Sequence, residues 1–391
     1  MARPTEDDHD TASRRQGSDA DTLTHHFGTS NVLPLWIAEP DLDLAPCVVD
    51  ALEKRAAMAW YGYETRPEVV IDAFRSWALT RHGWNCADDR TIVSPSVGTS
   101  IGVLLDELTD PGDGVIIQPP VFTDFKPIIS HGGRAATRNP LVLSGGRYEM
   151  DFEDLAAKAS DPANSFLILC NPHNPVGRVW TKDELDTVAT ICAANDVFVL
   201  ADEIHADLAL PQNRFTPFAK AAVNSGVRWA ATHGPIKTFG LAGVCDTLIV
   251  TDNDEAADRF ETRSSQFHLT RNNVFAIAAF ETAYRHGAGW VDELLSLVSA
   301  NVALLTDALP EGIRLIAPEG TYLAWLDFTA LDIAVAELPS WLANAAGLAL
   351  SPGHWFGREG ASFARMTIAS DTATIERAVG QLVSAVDGTR H

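Results

Sequence analysis

One charge interrupts the thirteen residues ATHGPIKTFGLAG (Ala231–Gly243), and it is Lys237, set among glycine, alanine, proline and apolar side chains. An amine in such company is poorly solvated, the condition under which a lysine serves as nucleophile or base rather than as a surface charge. Two other stretches carry groups that would work with it. Asp202 opens DEIHADL (Asp202–Leu208), and NPHNPVG (Asn171–Gly177) sets two amides among prolines. Each follows a short apolar run: FLILC (Phe166–Cys170) precedes the amides, VFVLA (Val197–Ala201) the carboxylate, and VRWAAT (Val227–Thr232) the lysine loop. A fourth run, RTIVSPS, leads into VGTS (Val97–Ser100), where small residues open a helix. The N–H groups at such a helix start suit a phosphate.

An amine, a carboxylate, an amide donor and a phosphate cradle at successive strand ends suit one chemistry. The amine forms a Schiff base with an aldehyde, and the carboxylate keeps a ring nitrogen protonated. The amide donates to a ring phenolate, and the N–H groups hold a phosphate. Pyridoxal phosphate has all four handles. Each residue also has a plainer reading. Lys237 can snorkel at a surface, Asp202 can cap a helix and Asn174 can make a turn.

The elements that must position these residues are legible in the apolar pattern. Gly114–Gln118 (GVIIQ) and Asp246–Thr251 (DTLIVT) join the runs above as short buried strands, with helices between them such as TKDELDTVATICAAN, N-capped by Thr181. Continuous apolar strands separated by helices imply a mostly parallel sheet covered on both faces. Ligands of such sheets bind beyond the carboxyl ends of the strands, where the polar residues above fall. The last hundred residues change character. Helices over residues 272–286 and 290–309 lead into TYLAWLDF, FARMTIA and a closing helix over 372–386, a smaller α+β domain. The expected division is a mobile arm over 1–30, a large domain over 31–287 whose segment 31–50 contributes to the small domain, and a small domain over 288–391.

The totals set outer bounds. At 391 residues and 46% hydrophobic composition the chain fills one large and one small domain. A net charge of -23 argues against nucleic acid or an anionic membrane surface as partner. The five cysteines are scattered with no CxxC pair, which points to neither a disulfide framework nor a metal site. The N-terminus lacks an apolar signal core, and no apolar run in the sequence has the length of a membrane span, so a soluble, cytoplasmic protein is expected.

Together LPLWIAEPDL (Leu33–Leu42), YGYE (Tyr61–Glu64), NPHNPVGRVW, DEIHADL, KTFGLAG (Lys237–Gly243), EGTYLAWLDF (Glu319–Phe328) and FARMTIA (Phe363–Ala369) resemble a known pattern. It is that of fold-type I pyridoxal-phosphate enzymes of the aminotransferase class I/II superfamily, more narrowly the cystathionine β-lyase (C–S lyase) branch typified by MalY and PatB. The resemblance runs from about residue 30 to the end. It implies an α/β fold, with a large domain of mostly parallel sheet flanked by helices and a smaller α+β domain. It also implies pyridoxal 5'-phosphate as cofactor and a homodimer with shared active sites.

Position by position, the resemblance makes Lys237 the residue that binds the cofactor aldehyde and moves protons at the substrate Cα. Asp202 pairs with the ring nitrogen, Asn174 donates to the ring oxygen, and Phe122 stacks on the ring. Gly98 and Thr99 offer backbone donors to the phosphate, His205 lies near the Asp202 edge, and Tyr63 reaches the phosphate of a neighbouring subunit. Arg365 clamps the substrate carboxylate, and the loop of Trp36 and Ala38 closes the substrate pocket. His205 as a structural histidine, Phe122 as plain core and Arg365 as a surface ion pair are the plainer readings of those three. The sequence departs from the family where Phe122 replaces tyrosine, Ile236 replaces serine, and Gly240 and Thr367 replace asparagine. The implied activity is β-elimination from an S-substituted cysteine, giving thiol, pyruvate and ammonia. The departures keep open decarboxylation-coupled deamination of a similar substrate, or transamination. A rival from outside the class is an α/β-hydrolase, since GTSIG (Gly98–Gly102) matches G-x-S-x-G with Ser100 as nucleophile and His354 as a late histidine. It accounts for neither Lys237 nor NPHNPVG.

Overall fold

A computed structural model describes residues 19–64, 67–269 and 273–389. The described residues divide into two compact units, one drawn from residues 44–295 with 319–321, the other from residues 19–43, 296–318 and 322–389. The division falls within the helix Ala288–Ala308, eight residues past the helix break near Ala288 where the sequence sets a boundary.

The larger unit is built on a seven-stranded sheet. Its strands run, in spatial order, Arg90–Ser94, Thr247–Thr251, Trp229–His233, Phe198–Asp202, Asn164–Cys170, Gly114–Ile117 and Ala135–Arg138. Only Thr247–Thr251 runs against its two neighbours; the other pairings are parallel. The central strands are buried at every or nearly every position, as continuous apolar runs require when helices cover both faces. Phe166 stacks on Phe198 across two of them, at 5.2 Å and 24°. The helix Lys182–Ala194 starts on a full capping box, with Thr181 and Glu184 each satisfying the other's backbone N–H.

The smaller unit holds a four-stranded antiparallel sheet of Arg314–Ile316, Leu323–Asp327, Phe363–Thr367 and Ser351–Pro352. Leu33–Pro34 pairs in parallel with Leu348–Ala349 in this unit. The segment expected as an arm differs from that reading between Ala20 and Phe27, which form a helix. Asp19 caps it by accepting from the Thr22 N–H at 2.8 Å, and Gly28 ends it at φ +77°. Leu23 and Phe27 anchor it in a cluster with Ala343 and Ala349. Residues 1–18 of the expected arm lie outside the described residues.

Ala288–Ala308 is also long and apolar enough, by length and composition, to cross a membrane. Its buried positions Val291, Leu294, Val298, Asn301 and Leu305 recur at helical spacing, however. Asn301 uses its amide to donate to Ile368 O and Ser370 O, both at 2.9 Å. One buried face with these hydrogen bonds is the pattern of an amphipathic helix packed against protein.

Candidate active site

Three adjacent parallel strands bring Cys170, Asp202 and Thr232 into one register at their carboxyl ends. Asp202 is 4% exposed. Its Oδ1 accepts from the Thr232 hydroxyl at 3.0 Å and from the Ile204 N–H at 3.3 Å. Burial pushes its carboxyl up from 3.8 to about 6, against the pull of those two donors and of the Lys237 charge. Burial, and next the Asp202 charge, likewise raises the Cys170 thiol well above its ordinary value, so this cysteine is an inert wall. A buried carboxylate in this state is stabilised by a cation placed against it.

Lys237 is half-buried in the turn Pro235–Gly240 that follows the strand Trp229–His233. Phe239 N–H closes the turn onto Pro235 O at 2.9 Å, and Leu241 N–H reaches Ile236 O at 3.0 Å. Two of the departures from the family fall here. Gly240 sits at φ +69°, the left-handed region that asparagine and glycine both tolerate, so that replacement preserves backbone conformation. Ile236 packs against the core cluster beneath the sheet, an apolar contact that a serine would not make.

Asn174 is buried, and its N–H points to Cys170 Sγ at 3.5 Å. Its loop is locked from several sides. Asn171 N–H donates to Asp202 O at 2.9 Å and its amide to Thr216 O at 3.1 Å. Trp180 donates to Cys170 O at 2.8 Å, and the Arg178 guanidinium lies 4.3 Å over the Trp180 ring. Arg178 also pairs with Glu184 and Glu319, each at 2.9 Å. Burial lowers His173 in the same loop to about 4, so it is a neutral structural group, with its Nε2 on Pro120 O at 2.9 Å.

Phe122 is half-buried, its ring edge-on to Phe125 at 5.5 Å. His205 is buried at the start of the short turn Ala206–Leu208. Gly98 and Thr99 lie in the first turn of the helix Val97–Leu108. Ser96 caps that helix by accepting the Thr99 N–H at 3.0 Å. Of the two expected backbone donors, therefore, the Gly98 N–H is the one left by helix geometry without a capping acceptor. Ser100 contradicts the hydrolase reading. It is fully buried, and its hydroxyl donates to Ser94 Oγ at 2.8 Å and Ser96 O at 3.1 Å, so it is a helix-start packing residue and not an exposed nucleophile. Tyr63 is 91% exposed, in a run with exposed Met58, Trp60 and Tyr61.

Arg365, Trp36 and Ala38 belong to the smaller unit and form a constellation of their own. Arg365 Nη2 donates to Trp36 O at 2.7 Å and to Ser351 Oγ at 3.2 Å, and Ser351 itself donates to Trp36 O at 2.6 Å. The guanidinium lies 4.8 Å over the Phe356 ring. Burial lowers it to about 10, still a full charge at neutral pH. Arg365 is thus a buried, stacked cation, not a surface ion pair. Tyr322 Oη donates to Ala38 O at 3.1 Å, and Thr367 holds the same segment through its N–H on Leu35 O at 2.8 Å and its hydroxyl on Ile37 O. The threonine in place of the family's asparagine therefore tethers the loop of Trp36 and Ala38.

Sequence reasoning missed Thr232, which holds Asp202, and Glu319 with Arg178, which locks the Asn174 loop. Glu319 begins the quoted EGTYLAWLDF, but nothing local marks it as the partner of an arginine 141 residues away. Asp202 with its demand for a cation, the lysine whose charge acts on it, the open helix start at Gly98 and the half-exposed ring of Phe122 fit pyridoxal phosphate.

Comparison with known proteins agrees. The family described as aminotransferase class I and II matches residues 30–382. Cystathionine beta-lyase PatB of Bacillus subtilis is 34% identical over 92% of this chain and 94% of its own. Protein MalY of Escherichia coli is 29% identical over 95% of each. Cystalysin from Treponema denticola, in a crystal structure that contains a pyridoxal 5'-phosphate cofactor, superimposes with a TM-score of 0.88 at 27% identity, covering 96% of this chain and 97% of that one.

Proposed function

We propose that this chain, which belongs to the aminotransferase class I and II family, is a pyridoxal-phosphate-dependent carbon–sulfur β-lyase acting on an S-substituted cysteine. The observation that carries the cofactor in this reading is Asp202, and the carbon–sulfur lyase activity rests on the likeness to PatB and MalY. A fully buried carboxylate raised to about 6 at a strand end, under the charge of Lys237, is the feature a protonated ring nitrogen would pair with. Bound pyridoxal phosphate supplies an electron sink for the pair released at the substrate Cα.

In this reading Asp202 holds the proton on the ring nitrogen, Asn174 donates to the ring oxygen, and Phe122 covers a ring face. The helix start holds the phosphate through the Gly98 N–H, beside the capped Thr99, and His205 supports the Asp202 edge. Arg365 grips the substrate carboxylate with its planar fork, which fixes direction as well as distance. Trp36 and Ala38 close the pocket around it. Lys237 takes the Cα proton, and the Cβ–S bond breaks with its electron pair on sulfur. The sulfur leaves as thiol after regaining a proton, and the three-carbon remainder is hydrolysed to pyruvate and ammonia.

The functional unit is a homodimer in the cytoplasm in which Tyr63 reaches the neighbour's phosphate. The exposed run Met58–Tyr63 and five free thiols support that placement. The test is product analysis with a panel of S-substituted cysteines. Thiol, pyruvate and ammonia in equal amounts are expected. Carbon dioxide with an aldehyde, or a keto acid that keeps its sulfur, would overturn the lyase reading in favour of decarboxylation or transamination. The same assay on Phe122→Tyr asks whether the missing hydroxyl steers that choice. Stacking needs only the ring, so the variant keeps its cofactor while the product ratio shifts.

A further inference from the structure

Asp207, in the turn Ala206–Leu208, takes no part in the reaction above, yet its carboxylate is buried and fully engaged. Oδ1 accepts from Trp77 Nε1 at 2.7 Å and lies 2.8 Å from His82 Nε2, both on the helix Pro67–His82. Oδ2 accepts from the Thr238 hydroxyl at 2.9 Å. Thr238 is the residue after Lys237. The next residue, Phe239, is also fully buried, stacked on Trp290 at 5.6 Å and 6.1 Å from the Trp77 ring. Gly287 is kept without a side chain beneath it, since a Cβ there would come within 2.3 Å of the Phe239 ring.

We propose that Asp207 is a positioning residue for Lys237: through Thr238 it fixes the turn that carries the lysine, while Trp77 and His82 hold the carboxylate from behind. This rests on the reading of Lys237 given above. A carboxylate is a costly group to bury for packing alone, and its ionised form is preserved here. Burial by itself would raise it; the His82 hydrogen bond and charge, with the Trp77 and Thr238 donors, bring it below its ordinary value. An ionised acceptor holds a hydroxyl about twice as strongly as a neutral one does, which suits a turn whose lysine must return to the same place each cycle. Misplacement of a reacting group by about 1 Å costs on the order of a hundredfold in rate.

The experiment removes the link without touching the carboxylate. Thr238→Val deletes the hydroxyl at nearly constant volume, and Thr238→Ser restores it. Thr251→Val serves as the control. Thr251 is a buried threonine whose hydroxyl donates to Trp229 O, and its strand register sets it opposite Arg90, at the other end of the sheet. Three quantities are read: thermal stability, kcat against KM, and hydrogen–deuterium exchange of residues 235–241 in the cofactor-free protein. Both valine variants are expected to lose comparable stability. Thr238→Val alone is expected to speed exchange in the turn at least tenfold and to lower kcat about tenfold to a hundredfold with KM within about twofold, and serine is expected to recover most of both. Unchanged exchange in the turn, or equal kcat losses in the two valine variants, overturns the proposal. Mapping the borohydride-fixed cofactor in the unmodified protein separates the two readings. Attachment elsewhere than Lys237 would sink the assigned lysine, while the exchange result still decides whether Asp207 organises the turn.

Discussion

Asp202 carries a cost that the cofactor is expected to relieve, and that cost is measurable without any substrate. Its carboxyl is raised from 3.8 to about 6, so between those values the folded protein binds more protons than the unfolded chain. Cofactor-free protein is therefore destabilised as pH rises through that window, by on the order of 2–3 kcal/mol once above it. Asp202→Asn removes the charge. The cofactor-free variant should melt at the wild-type temperature near pH 4 and above it at pH 7, whereas the loaded wild-type enzyme should far outpace the loaded variant in turnover. A melting difference that does not change with pH would show that burial does not raise the Asp202 carboxyl. Lys237→Ala should abolish the borohydride-fixed link between cofactor and chain, read by mass spectrometry of the denatured protein. Arg365→Lys keeps the charge but loses the planar fork over Phe356, and kcat/KM for amino-acid substrates is expected to fall about a hundredfold, a loss of ~3 kcal/mol in transition-state binding. An unchanged kcat/KM would place the carboxylate grip elsewhere.

At the scale of elements, the strand ends were legible because each strand is short, apolar and followed at once by its polar residue. FLILC, VFVLA and VRWAAT are the cores of three neighbouring strands, with edges shifted by one or two residues. The helix Ala20–Phe27 was not legible, since it is polar on most faces and gains its stability from Leu23 and Phe27 meeting residues more than three hundred positions away. The ties of Asp207 to Trp77 and His82 were hidden in the same way, spanning 130 and 125 residues with no local signature. Gly240 lies between these extremes. The departure from asparagine is visible in sequence, but its meaning needs the φ of +69°. Gly240→Asn is expected to cost less than about 1 kcal/mol and to keep activity. Gly240→Val, a β-branched residue forced into the left-handed region, should cost about 2 kcal/mol or more and distort the lysine turn. Equal melting temperatures for the two variants would show that the turn relaxes to another conformation.

For the molecule as a whole, the charge of -23 and the two-unit organisation say little about reaction type, and the proposed assembly says more. Tyr63 is 91% exposed on the single chain, within a run where Met58, Trp60 and Tyr61 are each more than half exposed. So much adjoining apolar surface on one segment suits a cover, and in the proposed assembly a second copy in a closed twofold pair would cover both runs at once. If each site takes Lys237 from one subunit and Tyr63 from the other, two crippled chains should repair each other. A dimer of Lys237→Ala with Tyr63→Ala places both defects in one site and leaves the second site intact. Random reassortment of equal amounts makes half of the dimers mixed, each with one working site of two, so activity is expected to rise to about a quarter of wild type, above that of either variant alone. The measurement is lyase rate after unfolding and refolding the two variants together and, for comparison, apart. A mixture no more active than the average of its parents, from chains that refold to full yield, would mean that Tyr63 serves its own subunit or none.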